Sequence, residues 1–261
     1  MNITLKGRKA LVGGSSGGIG KAIAIQLAES GASVTLMSRS TEKLKQMVSS
    51  LPTDQGQRHQ YLVVDFSNFE GYKTIISEYF ENNSVDILVN NTQGPSAGNA
   101  LEKETEDYQK AFDLLFKTVV FTTELALKQM EKNQWGRIIN VASVSVKEPL
   151  SYLALSNTIR AAVVTWAKSL ATDVGQYEIT VNSILTGYFD TERIEQLNAK
   201  KAEQLSISPE EVRKDMESKV PVKRIGDPKE YGYLVAFLAS EKAGYITGTQ
   251  IPIDGGLLKS L

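Results

Sequence analysis

Five glycines in eight consecutive positions, Gly13-Gly14-Ser15-Ser16-Gly17-Gly18-Ile19-Gly20, are the residues of this chain best suited to chemistry with an anion. Glycine permits a tight turn and lets a bulky group approach the main-chain N–H groups, while a helix that follows turns its positive end toward the charge. The flanking residues supply that setting: Ala10-Leu11-Val12 enters as an apolar strand, and Ala22, Ile23, Ile25, Leu27 and Ala28 leave as a helix. A strand, a glycine turn and a helix start form a cradle for the pyrophosphate of a dinucleotide. Gly14, Ser16, Gly18, Ile19 and Gly20 are the candidate contacts.

Two side chains further on extend this cradle. The second strand, Val34-Thr35-Leu36-Met37, runs into Ser38-Arg39-Ser40, where the adenosine ribose would lie. A carboxylate there suits a free 2′-hydroxyl, and an arginine suits a 2′-phosphate. Ser38 to Thr41 holds no acidic residue and does hold Arg39, so the expected cofactor is NADP(H) in preference to NAD(H). Asp65 closes the third strand, Tyr61-Leu62-Val63-Val64, placed either to meet an adenine edge or to cap the next helix.

Bulk composition narrows the function classes. The chain has 261 residues, enough for one large α/β domain or two small ones, and its 41% hydrophobic and 23% charged residues are ordinary for a globular protein. Twenty-nine basic residues balance thirty acidic ones without a basic block, so a nucleic-acid surface is not expected. The absence of cysteine excludes disulfides and thiolate chemistry, and the lone histidine, His59, leaves no histidine metal cluster. His59 lies in the polar run Asp54-Gln55-Gly56-Gln57-Arg58 and is expected to be a solvated loop residue. No apolar stretch approaches membrane-spanning length and no leader precedes the first strand, so a cytoplasmic location is expected.

The elements that must position these residues alternate. Helices are expected to about Glu29, over Thr41–Ser50 and Phe69–Phe80, from Thr105, over Thr118–Lys132, and through Ser156 and Arg160 to about Asp173. Strands are expected at Asp86–Val89, Gly136–Val141, Ile179–Ile184 and Gln250–Ile253. This order predicts a single α/β domain over residues 1–261: a doubly wound, Rossmann-like parallel sheet in three α/β/α layers. Residues 188–222 break the alternation with polar helices, one opened by the capping box Ser208-Pro209-Glu210-Glu211, and are expected to form a helical substrate lid. Asp227-Pro228-Lys229-Glu230 starts another capped helix, which reaches Ala239.

The ordered landmarks resemble the short-chain dehydrogenase/reductase family over nearly the whole chain. They are Gly13 to Gly20, Asp65, Asn90-Asn91, Ser143, Val181-Asn182, Thr186-Gly187, Tyr245-Ile246-Thr247-Gly248 and Pro252 to Gly256. Gly13 and Thr186 stand where the family often has threonine and proline. The resemblance implies a nicotinamide cofactor, a small-molecule carbonyl or alcohol substrate, and a homodimer or homotetramer built partly from the long helices. It also places Asn91 in the cofactor site and Thr191 near the nicotinamide carboxamide.

The same resemblance implies a catalytic serine, tyrosine, lysine and asparagine, and here the chain departs from it. Ser143 matches the serine that polarises the carbonyl. The tyrosine position falls at Ser156, the lysine position at Arg160 and the asparagine position at Leu115, and none of the ten tyrosines has a lysine four residues later. An aliphatic hydroxyl is a far weaker acid than a phenol. Arg160 can hold ribose hydroxyls but stays protonated and cannot pass a proton on. Tyr152, Ser156 and Arg160 follow at i, i+4, i+8, so Tyr152 would share their face one turn away if the helix includes all three. Tyr152, Ser156 or water is then the candidate proton donor, and Tyr188 is a weaker one.

Three readings compete: an oxidoreductase with a non-standard proton donor, a catalytically silent dinucleotide-binding sensor or partner subunit, and a different reaction such as elimination or isomerisation on the same fold. The 2′-phosphate reading has its own test. Arg39→Ala is expected to weaken NADPH binding far more than NADH binding, measured by titration calorimetry, and equal losses would refute it.

Overall fold

The computed structural model describes residues 2–260 and contains one sheet of seven parallel strands in the order β3-β2-β1-β4-β5-β6-β7. The strands are β1 (Lys9–Val12), β2 (Ser33–Ser38), β3 (Gln60–Val63), β4 (Ile87–Asn90), β5 (Gly136–Val141), β6 (Ile179–Thr186) and β7 (Gln250–Ile253). β1 and β4 are neighbours, pairing Ala10 with Ile87 and Val12 with Val89. The strand order reverses at that pair, which opens a crevice at the carboxyl ends of β1 and β4.

Helices α1 (Gly18–Glu29), α2 (Thr41–Ser50) and α9 (Pro228–Ala239) cover one face; α3 (Phe69–Asn82), α4 (Thr105–Phe112), α5 (Thr118–Asn133) and α6 (Ala154–Val174) cover the other. The period of two along a strand decides which core each residue joins. Ala10 and Val12 pack with Ile23, Leu27 and Val235, whereas Leu11 packs with Ile76, Met130 and Ile159. Among the described residues no helix is long and apolar enough to cross a membrane.

Between α4 and α5 the helix widens into a π-turn over Asp113–Lys117. Beyond β6, α7 (Glu192–Leu205) and α8 (Pro209–Lys219) form the helical pair expected over 188–222. Arg213 clamps the root of that pair by donating to both oxygens of Asp190 at 2.8 and 3.1 Å.

The structure corrects two expectations. α6 begins at Ala154, so Tyr152 lies outside it and the i, i+4, i+8 face is broken. The reason is a competing pairing: Gly98 N–H donates to Tyr152 C=O at 2.8 Å, and Leu153 bridges Gly98 in parallel. That holds residues 151–153 as a turn against the loop after β4, closed by Leu153 N–H donating to Leu150 C=O at 2.9 Å. His59 is not a solvated loop residue either. Nδ1 accepts from Val34 N–H at 3.1 Å and Nε2 lies 2.8 Å from Pro52 C=O, so the ring staples its loop to β2.

Gly187, at the end of β6, has no room for a side chain, since a Cβ there would meet Asp254 Cα at 2.6 Å. Gly187→Ala is expected to cost about 1–3 kcal/mol, the usual range for overpacking. Gly175→Ala, where a Cβ meets nothing within 4 Å, is expected to be neutral or slightly stabilising. Urea denaturation of the two variants measures the contrast.

Candidate active site

Gly13 and Gly20 are the tightest points of the glycine turn. A Cβ on Gly13 would overlap Asn91 C=O, and one on Gly20 would overlap Gly14 C=O. Asn91, just past β4, braces the turn by donating from Nδ2 to Gly13 C=O at 3.0 Å. Gly14 and Gly18 adopt φ of +56° and +52°, a region that favours glycine. Ser15, fully buried, ties the turn to β2: its Oγ accepts from Met37 N–H at 2.9 Å. Ser15 was not singled out in the sequence, because a serine inside a glycine run carries no sign that it faces inward.

The cradle has the donors an anion needs. Gly17 caps α1 without a side-chain bond, and no acidic residue stands in the first turn. The first N–H groups of α1, at Gly18, Ile19 and Gly20, therefore keep their donors for a ligand. Ser16 is partly exposed beside them. Thr191 caps α7, with Oγ1 accepting from Ile194 N–H at 3.4 Å, and its Cγ2 would lie 3.2 Å from a Cβ on Gly18. The root of the α7–α8 pair thus stands directly over the glycine turn.

Arg39 is exposed past the end of β2. Asp65 takes Ser67 N–H at 2.9 Å and Ser67 Oγ–H at 2.6 Å; those bonds, with a smaller pull from the Arg39 charge, hold its carboxyl below the ordinary carboxylate range. Arg39 and Asp65 thus follow the ends of β2 and β3, neighbouring strands, beside the slot expected to take an adenosine. The cap of α3 is Asn68, which accepts from Gly71 N–H at 3.1 Å, so Asp65 is not the helix cap.

At the other end of the crevice, Ser143 ends the segment after β5, and its Oγ accepts from Ser145 N–H at 3.1 Å. Its hydroxyl hydrogen stays available. Ser156 lies in the first turn of α6, and its Oγ accepts from Arg160 Nε at 3.3 Å. Arg160 Nη1 donates to Val141 C=O, two residues before Ser143. Burial pulls the Arg160 pKa down, while the neighbouring Tyr231 pushes it up. No carboxylate pairs with this guanidinium among the described residues. Leu115 is buried inside the π-turn and lines a small cavity beneath Arg160.

Tyr152 sits in the turn before α6, 47% exposed. Burial of part of its ring, then the neighbouring Tyr188, push its pKa above the ordinary phenol value, and Lys219 offsets this only weakly. Tyr188 is likewise raised, by burial and then by Asp215. The structure thus joins Ser156 to Arg160 and ties both to the end of β5, two residues before Ser143. Tyr152 lies before the start of α6 and Tyr188 after the end of β6, and both phenols stay neutral.

These features describe an oxidoreductase scaffold with a dinucleotide cradle, and comparison with known proteins agrees. A family model described as enoyl-(acyl carrier protein) reductase matches residues 14–258. The oxidoreductase UcpA of Salmonella typhimurium is 36% identical over 258 residues, covering 97% of this chain and 95% of the relative. The NADPH-dependent reductase BacG of Bacillus subtilis is 30% identical over 256 residues, covering 97% and 99%. The solved structure of L-sorbose reductase from Gluconobacter frateurii, complexed with NADPH and L-sorbose, has a TM-score of 0.92 at 30% identity, with 100% of both chains covered. The chain belongs to the short-chain dehydrogenase/reductase family.

Gly20→Ala forces the turn away from Gly14 C=O. We expect dinucleotide affinity to fall by about tenfold or more, equivalent to about 1.4 kcal/mol, with the far-ultraviolet circular dichroism unchanged. Fluorescence titration with NADPH measures it, and unaltered affinity would show that the turn is not the cradle.

Proposed function

We propose that the protein is an NADP(H)-dependent oxidoreductase that interconverts a small carbonyl compound and its alcohol, using a proton donor other than the family's tyrosine. The observation that carries this reading is the glycine turn, packed against Asn91 so that the uncapped N–H groups of α1 face the crevice below Thr191. The nicotinamide, when bound, supplies hydride transfer. The chain's own groups then divide the remaining work. Gly14, Ser16, Gly18, Ile19 and Gly20 hold the pyrophosphate, Arg39 meets the 2′-phosphate, and Asp65 meets the adenine. Thr191 orients the carboxamide, and Ser143 Oγ–H donates to the substrate oxygen.

Arg160 acts as a fixed cation beside the ribose, since a guanidinium does not release its proton. Ser156 Oγ accepts from Arg160, which leaves its own hydrogen to direct toward the substrate. A water bonded to Ser156, or the Tyr152 phenol at the mouth of the crevice, completes proton delivery. General acid catalysis typically contributes about 10²–10⁴-fold, so a weak donor slows the reduction without abolishing it. Residues 188–222 serve as the substrate lid. The partly buried aromatic face of α4 to α6, where Phe112 stacks on Phe116 at 4.9 Å, supports a homo-oligomer. Balanced charge and the absence of an apolar spanning helix among the described residues support a cytoplasmic location.

A second reading, a catalytically silent dinucleotide-binding sensor or partner subunit, is favoured by one observation. Arg160 is committed to Val141 C=O and Ser156 rather than to a phenol. Purified protein assayed with NADPH against a panel of ketones and aldehydes separates the two. Slow consumption of NADPH is expected, and tight cofactor binding without turnover would favour the silent reading. If Tyr152 is the donor, kcat/KM should stay flat from pH 6 to about 9, because its pKa lies above the ordinary phenol value of about 10. The Tyr152→Phe variant should then lose about 10²-fold in kcat. The double variant Ser156→Tyr/Arg160→Lys is expected to raise turnover, measured by the same absorbance assay.

A further inference from the structure

We propose that Glu148 is a positioning residue for Ser143: its carboxylate grips the main chain that follows β7 and so fixes the turn that presents the Ser143 hydroxyl. This role rests on the reading of Ser143 as the donor to the substrate oxygen. Glu148 Oε1 accepts from both Lys259 N–H and Ser260 N–H, each at 2.8 Å. The two donors lie 111 and 112 residues further along the chain, so the contact joins segments that are remote in sequence.

Glu148 closes a single helical turn that Ser143 opens. Ser143 Oγ accepts from Ser145 N–H at 3.1 Å, and its C=O accepts from Val146 N–H at 3.2 Å. The N–H groups of Lys147 and Glu148 both donate to Val144 C=O, at 3.0 and 3.1 Å. A turn this short has few bonds of its own and frays at its open end unless something outside it holds that end. The segment after β7 holds it in two ways. Leu257 and Leu258 pack on the small cluster of Ala142, Val144, Val164 and Leu185, and Glu148 takes the next two N–H groups.

A strap holds only if its other end is fixed. Asp254 accepts from Gly256 N–H at 2.9 Å and from Leu258 N–H at 2.8 Å. Gly255 C=O accepts from Val222 N–H at 3.3 Å, and a Cβ on Gly255 would lie 2.7 Å from both Val220 Cγ1 and Val222 Cγ2. The segment is therefore wedged against the return from α8 before it reaches Glu148. A carboxylate suits the gripping end, because two N–H groups converging on one oxygen favour a negative charge. They hold the Glu148 carboxyl below its ordinary value, the Ser260 N–H most strongly. Glu148 makes no ion pair among the described residues, so its charge faces main chain.

Glu148→Leu removes the acceptor at similar size, and Glu148→Gln keeps an acceptor without the charge. Hydrogen exchange read by mass spectrometry reports on the strap whether or not the protein turns over. In Glu148→Leu, peptides covering 144–148 and 257–260 are expected to exchange about tenfold faster or more; in Glu148→Gln they should stay within about threefold of the unaltered protein. In the NADPH assay with ketones, Glu148→Leu is expected to lose about tenfold in kcat with NADPH affinity unchanged, and Glu148→Gln to restore most of that loss. Unchanged exchange at 144–148 in Glu148→Leu, or faster exchange without a fall in kcat, would overturn the proposal. An unaltered protein without turnover refutes the reading of Ser143 instead, and the exchange contrast alone then decides whether Glu148 holds the turn.

Discussion

The structure depends on the close packing of main chain against main chain where the glycine turn meets Asn91. β1 and β4 lie side by side, and the segments leaving them come so near that neither Gly13 nor Gly20 has space for a Cβ. The Asn91 side chain fills the remaining gap by donating to Gly13 C=O. Steric exclusion, rather than any strong attraction, sets this geometry: only glycine fits, so the start of α1 faces the crevice with its N–H groups uncovered. The position of Thr191, one residue before α7, follows from the same contact, since it rests on Gly18.

The chemical end of the crevice obeys a different constraint, the need to satisfy a cation without a carboxylate. Arg160 finds its partners in a main-chain carbonyl and in the hydroxyl one turn earlier. That arrangement places Ser156 between the guanidinium and the crevice. A lysine could have served as a movable charge there, but arginine's planar fork commits to several acceptors at once. The site therefore has a fixed cation at its floor.

A partly buried hydrogen bond holds the end of β6 beside this floor. Tyr231, wholly buried on α9, shares a hydrogen bond of 3.1 Å with Thr186, and its ring meets Phe189 edge-on at 5.4 Å. Phe189 in turn bridges Gly226, where the chain returns from α8. The polar helical pair is thus rooted in the apolar core, although its own outward faces are charged. Threonine at position 186, in place of the family's proline, supplies the hydroxyl that Tyr231 requires once buried.

Much of this was determined by the sequence alone, because its causes are local. The period of two in Ala10, Leu11 and Val12, the glycine run, and the capping boxes at Ser208 and Asp227 each act over a few residues. They specify strands, turn and helix starts wherever they occur. The departures at Leu115, Ser156 and Arg160 were legible in the same way, as residue types at counted positions. Pairings between distant segments decided the rest. Tyr152 has helical spacing to Ser156, yet Gly98 takes its carbonyl and keeps it in a turn outside α6. His59 sits in a polar run, yet both ring nitrogens find main-chain partners. The inward face of Ser15, the Thr186–Tyr231 bond and the unmatched amide of Asn140 belong to the same group. Hydrogen bonds across tens of residues leave no periodic trace, so only the folded chain reveals which polar groups are paired.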